Sequence, residues 1–185
     1  MQITKTFLDG VLIIEPKVFG DSRGWFMETW SAKKFEDAGL NFNFVQDNQS
    51  FSAQRGTLRG LHYQTAPFAQ AKLVRCTRGK LLDVAVDIRE GSKTFAKWIS
   101  VELTAENKKQ LLIPRGFAHG FLTLTDDVEI QYKADNFYAP NCDGNIRWND
   151  EKIKIDWSFE PKILSNKDLN APTLQERLEN GDLRF

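Results

Sequence analysis

The chain has 185 residues, 41% of them hydrophobic and 27% charged, with 25 Lys and Arg balanced by 25 Asp and Glu. That length fits one domain with a substantial core, and the zero net charge leaves no global field to draw nucleic acid or an anionic membrane, so any anionic ligand must be held by local arginines. Cys76 and Cys142 lack CxxC spacing, which argues against a disulfide framework or a zinc site, and the start Met1-Gln-Ile-Thr-Lys-Thr lacks a signal peptide's apolar core, so a cytoplasmic protein without a membrane span is expected.

In chain order, Ser31 is a suitable N-cap for a helix that Gly39 closes. Arg59-Gly-Leu-His62-Tyr-Gln64 puts one of only two histidines on a strand. Strict alternation sends Arg59 and His62 to opposite faces, and Gly60 is where a bulge could re-aim one of them. In Ala71-Lys-Leu-Val-Arg-Cys76, Lys72 shares a face with Val74 and Cys76. Its ammonium either enters the interior, where burial needs an anion or dipole, or snorkels at the strand mouth. Leu82 to Arg89 alternates Val84, Val86 and Ile88 against two aspartates, the pattern of a half-buried strand. Trp98 to Leu103 repeats it through Ile99, Val101 and Leu103, and Val128 to Lys133 aligns Tyr132 with Val128 and Ile130. Turns are expected at Arg78-Gly79, Glu90-Gly91, Pro114-Arg-Gly116 and Asp126-Asp127. Ser165 can cap a short turn, and Thr173 to Leu178 reads as helical. No repeat or linker divides residues 1–185, so the pattern predicts a single β-rich domain, an antiparallel sandwich or barrel with small helical excursions.

The two imidazoles, His62 and His119, are the residues whose ordinary titration suits a general base near neutrality. Each is otherwise a hydrogen-bonded core histidine. Tyr132 is either a core tyrosine or a phenolic acid facing a cavity. Arg23 and Arg59 carry forks suited to phosphate, or sit in surface ion pairs. Asp168, three residues after Ser165, is either a capping-box carboxylate or the acid that orients a histidine. Glycine-rich phosphate loops, a Gly-x-Ser-x-Gly elbow and a His-Glu-x-x-His helix are all missing, so side chains must hold any nucleotide phosphates.

Six ordered blocks now carry a resemblance: Val18-Phe-Gly-Asp-Ser-Arg-Gly-Trp-Phe-Met-Glu28, Phe44-Val-Gln-Asp-Asn48, Leu58-Arg-Gly-Leu-His-Tyr-Gln64, Ala71-Lys-Leu-Val-Arg75, Ile113-Pro-Arg-Gly-Phe-Ala-His-Gly-Phe121 and Leu164-Ser-Asn-Lys-Asp168. Along nearly its whole length the chain resembles the dTDP-4-dehydrorhamnose 3,5-epimerases. The resemblance implies a mainly β, cupin-like double-stranded β-helix (jelly roll) with a few short helices. It also implies a homodimer with strand exchange, in which the Arg23 to Glu28 segment serves the partner's site, and a dTDP-4-dehydro-6-deoxyglucose substrate. Carried over, His62 is the proton acceptor oriented by Asp168, Tyr132 the opposite-face donor, and Lys72 the cation that stabilises charge on the ketone oxygen. Arg23, Arg59 and Lys167 match residues that hold the diphosphate or its neighbourhood, and Glu28, Gln46, Asp47 and Asn48 match the deoxythymidine side. His119 matches a substrate contact, and Asp143 an acidic position that is often glutamate.

No cofactor and no metal are expected of such chemistry, because protons at C3 and C5 both flank the C4 ketone and leave an enolate on one oxygen. Three other readings compete. One is a 3- or 5-monoepimerase or ketoisomerase on the same scaffold. Another is a metal-dependent cupin, which would want clustered histidines. The third is a silent sugar-binding module, which leaves base, acid, lysine and phenol unexplained.

Overall fold

A computed structural model describes residues 1–185. The strands are β1 (Gln2–Lys5), β2 (Leu12–Glu15), β3 (Val18–Asp21), β4 (Gly24–Met27), β5 (Gln46–Ser52), β6 (Leu58–Gln64), β7 (Lys72–Arg78), β8 (Lys80–Asp87), β9 (Trp98–Thr104), β10 (Gln110–Ile113), β11 (Phe117–Thr123), β12 (Val128–Ala134) and β13 (Asp143–Asn145). Helices are short: α1 (Ala32–Asp37), α2 (Asn166–Leu169) and α3 (Leu174–Glu179). A six-stranded sheet runs β1-β2-β10-β7-β12-β5 and a five-stranded sheet runs β13-β6-β11-β8-β9, while β3 and β4 form a separate hairpin. Every pairing between these strands is antiparallel, as a jelly roll requires.

Both sheets contribute to the central core, through Val74, Leu111, Val128 and Ile130 from the first and Leu81, Ala85, Leu103 and Phe121 from the second. The outer face of the five-stranded sheet is covered in turn, since Val84, Val86 and Ile88 pack beneath Ile146, Ile153, Trp157, Leu174 and Leu183 of the C-terminal segment. That corrects the half-buried reading of β8. Its apolar residues face this outer layer, and Asp83 and Asp87 are fully buried rather than solvated. Alternation marked two faces correctly and could not say that both are enclosed.

The other expectations about β12 and β9 hold: Tyr132 packs against the central core with Val128 and Ile130, and Ile99 does so with Val101 and Leu103. Turns fall at Gly79, Gly91, Gly116 and Asp127, all in the left-handed region. Ser31 caps α1 by accepting the Lys34 N–H, and Gly39 follows at φ +76°. The expected bulge is present. Across β11 and β6, His119 faces His62 and Phe121 faces Arg59, so Gly120 alone opposes Gly60 and Leu61. Gly60 has φ +137°, and a Cβ there would lie 2.5 Å from the Gly120 Cα, so no other residue fits. The extra residue turns Arg59 and His62 toward the same cavity.

Candidate active site

That cavity, of about 560 Å³, opens between the two sheets. β6 supplies His62 and Arg59, β11 supplies His119, and the opposite wall brings Lys72 from β7, Tyr132 from β12 and Asn48 from β5. Asp168 reaches in from α2. His62 and Tyr132 therefore stand on facing walls.

His62 Nε2 lies 2.6 Å from Asp168 Oδ1, and Asp168 is only 2% exposed. Burial by itself would raise that carboxyl, but hydrogen bonds from the His62 ring, the Ser165 hydroxyl and the Gly60 N–H outweigh it and hold it below its ordinary value. An ionised carboxylate only accepts, so the neutral imidazole carries its proton on Nε2 and leaves Nδ1 free to take another. α2 is four residues long, too short to persist alone. Ser165 holds its start, accepting the Asp168 N–H at 3.1 Å and donating its hydroxyl to Asp168 Oδ2 at 2.9 Å. Asp168 thus belongs to a helix cap and orients a histidine at once.

Lys72 begins β7, partly accessible from the cavity, with Nζ 5.8 Å from the Tyr132 ring centre. Both sequence alternatives meet in it: the ammonium points inward at a strand mouth. Burial pushes it down to about 8, against the opposing pull of Asp143 and Asp83. Burial also raises the Tyr132 phenol, partly offset by Arg59, so Tyr132 stays protonated at neutral pH and can donate.

His119 makes a second acid–imidazole pair, its Nε2 2.8 Å from Asp83 Oδ1. Asp83 was not singled out from the sequence as a site residue. Its Oδ2 is buried without a partner, and the signal that could have found it is an aspartate on a strand whose faces are both enclosed. At the rim, the Lys167 ammonium pairs with Asp143 Oδ2 at 2.5 Å, and the Tyr138 hydroxyl, also unread in the sequence, lies 3.5 Å from the same oxygen. Gln46 accepts the Tyr138 N–H and donates to Asn48 Oδ1, each at 3.0 Å.

Gln46, Asp143 and Lys167 are not among the residues that line the cavity, and neither are Asp47, Arg23 and Glu28. Asp47 turns to the outer face of the six-stranded sheet, pairs with Lys133 at 2.8 Å and lines a separate space of about 350 Å³ with Arg75 and Gln131. Arg23, 87% exposed on the β3–β4 hairpin, pairs with Asp21, and Glu28 pairs with Lys34. No group of three or more His, Cys, Asp or Glu side chains converges as a metal cage does, and no helix is long and apolar enough to cross a membrane.

The arrangement sets an imidazole, an ammonium and a phenol around one cavity, and proteins of known activity share its frame. The epimerase of Shigella flexneri named dTDP-4-dehydrorhamnose 3,5-epimerase is 55% identical over 92% of this chain and 94% of its own. The dTDP-6-deoxy-D-glucose-3,5-epimerase of Legionella pneumophila Philadelphia 1, solved with dTDP-4-keto-L-rhamnose, is 45% identical, covers 100% of this chain and 98% of its own, and superposes with a TM-score of 0.93. A 3'-monoepimerase of Streptomyces bikiniensis, solved with dTDP-quinovose, is 36% identical over 97% and 91% of the two chains with a TM-score of 0.91. The family model for dTDP-4-dehydrorhamnose 3,5-epimerase matches residues 5–176. The chain belongs to the dTDP-4-dehydrorhamnose 3,5-epimerase family.

Proposed function

We propose that residues 1–185 form one epimerase domain that converts dTDP-4-dehydro-6-deoxy-α-D-glucose to dTDP-4-dehydro-β-L-rhamnose. The observation that carries this reading is the His62–Asp168 pair standing across the cavity from Tyr132, with Lys72 beside the phenol. His62 Nδ1 removes the proton from C3 or C5, and the C–H electron pair moves onto the C4 oxygen, where the Lys72 ammonium meets it. Tyr132 then protonates the same carbon from the opposite face. His62 ends one proton richer and Tyr132 one poorer, so exchange with water resets both before the second inversion. No redox step occurs and no cofactor enters the balance.

Arg59 and Lys167 hold the diphosphate, Asn48 and Gln46 the deoxythymidine side, and His119 and Asp143 the sugar. Arg23 and Glu28 stand outside the chain's own cavity, which favours a homodimer in which the Arg23 to Glu28 segment serves the partner. The exposure of Phe19, Trp25 and Phe26 on that hairpin fits such a role. Mixing inactive Arg23→Ala and His62→Ala dimers should then restore activity through one intact site per mixed dimer. The free thiols Cys76 and Cys142 agree with a cytoplasmic setting.

Turnover of the 4-keto sugar nucleotide in deuterium oxide tests the reaction. Deuterium at both C3 and C5 of the product is the expected result. Label at one carbon alone identifies a monoepimerase, the activity named for the Streptomyces bikiniensis relative, and no label favours a binding module.

A further inference from the structure

The carboxylate that orients His62 sits on a helix of one turn, so something else must fix that helix in place. Its last carbonyls have no intrahelical donor, because α2 ends at Leu169. One of them, the Lys167 carbonyl, accepts the Asn145 side-chain amide at 3.0 Å. Asn145 is 7% exposed, so water has little room to substitute. It ends β13 directly opposite His62 in the β6 ladder. Gly144 just before it lies under the Tyr63 ring, where a Cβ would come within 2.4 Å of ring carbon, so β13 is pressed against β6.

The amide could serve α2 only if its orientation were fixed, and Arg177 of α3 fixes it. Arg177 Nη2 donates to Asn145 Oδ1 at 2.9 Å, and its Nε donates to the Asn145 backbone carbonyl at 3.0 Å. Its Nη1 is anchored on Asp182 at 2.9 Å. With the amide oxygen taken by a guanidinium, the amide nitrogen must face Lys167. The same β-strand holds the Lys167 ammonium through Asp143, so that head group has an anchor of its own.

We propose that Asn145, aligned by Arg177, is a positioning residue for the His62–Asp168 pair. It sets the height of α2 against β6, and with it the angle at which Asp168 meets the imidazole. The inference rests on the reading of His62 and Asp168 given above. Because Lys167 keeps its contact with Asp143, loss of Asn145 should affect turnover far more than binding.

The test is steady-state turnover of the sugar nucleotide, with dTDP affinity by calorimetry, each taken well below the melting temperature of every variant. Asn145→Ala should lower kcat by about ten- to a hundredfold, as expected of a reacting group displaced by an ångström or less, with KM and dTDP affinity changed by less than about threefold. Asn145→Asp keeps the acceptor for Arg177 but turns an oxygen toward the Lys167 carbonyl, so it should fail as Asn145→Ala does. Arg177→Ala should lose less than Asn145→Ala, and the double variant should be no worse than Asn145→Ala, because one acts through the other. A lower melting temperature with unchanged kcat, full activity in Asn145→Asp, or additive losses in the double variant would each overturn the proposal. Asp168→Ala separates the two levels: if it is inactive while Asn145→Ala is fully active, the brace alone fails, and if it is fully active the site reading fails and takes the brace with it.

Discussion

Two acid–imidazole pairs lie side by side in this molecule, built from the same two residue types at nearly the same spacing, 2.6 Å for His62–Asp168 and 2.8 Å for His119–Asp83. They differ in access and in support. The His62 side chain keeps 32% of its surface and its carboxylate collects further donors from Ser165 and Gly60, whereas His119 keeps 8% and Asp83 has an oxygen with no partner. An imidazole becomes a base for carbon acids when one nitrogen is anchored and the other can reach substrate. With less exposure, His119 is expected to contact substrate from the cavity wall rather than to remove a proton.

The largest effect should come from breaking the accessible pair. His62→Ala is expected to lower deuterium exchange into substrate by about 10²–10⁴-fold with dTDP affinity retained, and His119→Ala by about tenfold, expressed mainly in KM. Equal losses would erase the distinction. Next, the carboxylates should part company. Asp168→Asn should reduce kcat by about a hundredfold with little change in melting, while Asp83→Ala, which strips a partner from a buried group, should cost about 1–3 kcal/mol of stability and far less turnover.

A smaller effect, read through pH, bears on the cation between the walls. Lys72 falls from an ordinary 10.5 to about 8 on folding, so kcat/KM should decline above about pH 8 as the ammonium loses its proton, with the raised phenol of Tyr132 still protonated there. Stability should move the other way. Between about pH 8 and 10.5 the unfolded chain binds the proton that the folded one has lost, so unfolding free energy attributable to Lys72 rises with pH across that window. Lys72→Met should abolish both trends.

Much of this architecture is legible in the sequence. Period-two alternation aligned Tyr132 with Val128 and Ile130, Ser31 and Ser165 marked their helices, and Gly60 marked the bulge that brings Arg59 and His62 together. Other features depend on which strands become neighbours, which periodicity does not encode. Asp83 looked solvated because the opposite face of β8 was apolar, yet a C-terminal layer covers that face and sends the aspartate into the interior beside His119. Asn145 and Arg177 meet only because α3 folds back over β13, and nothing local to either residue announces it. Lys72 was half legible, its face evident and its depth not.

The central claim is that base and acid act from opposite walls, and Tyr132→Phe in deuterium oxide tests it most directly. With His62 intact, recovered substrate should acquire deuterium at C3 and C5 with its configuration retained, while inverted product falls by at least about a hundredfold. Inverted product forming at the wild-type rate, or no exchange in recovered substrate, would contradict the account.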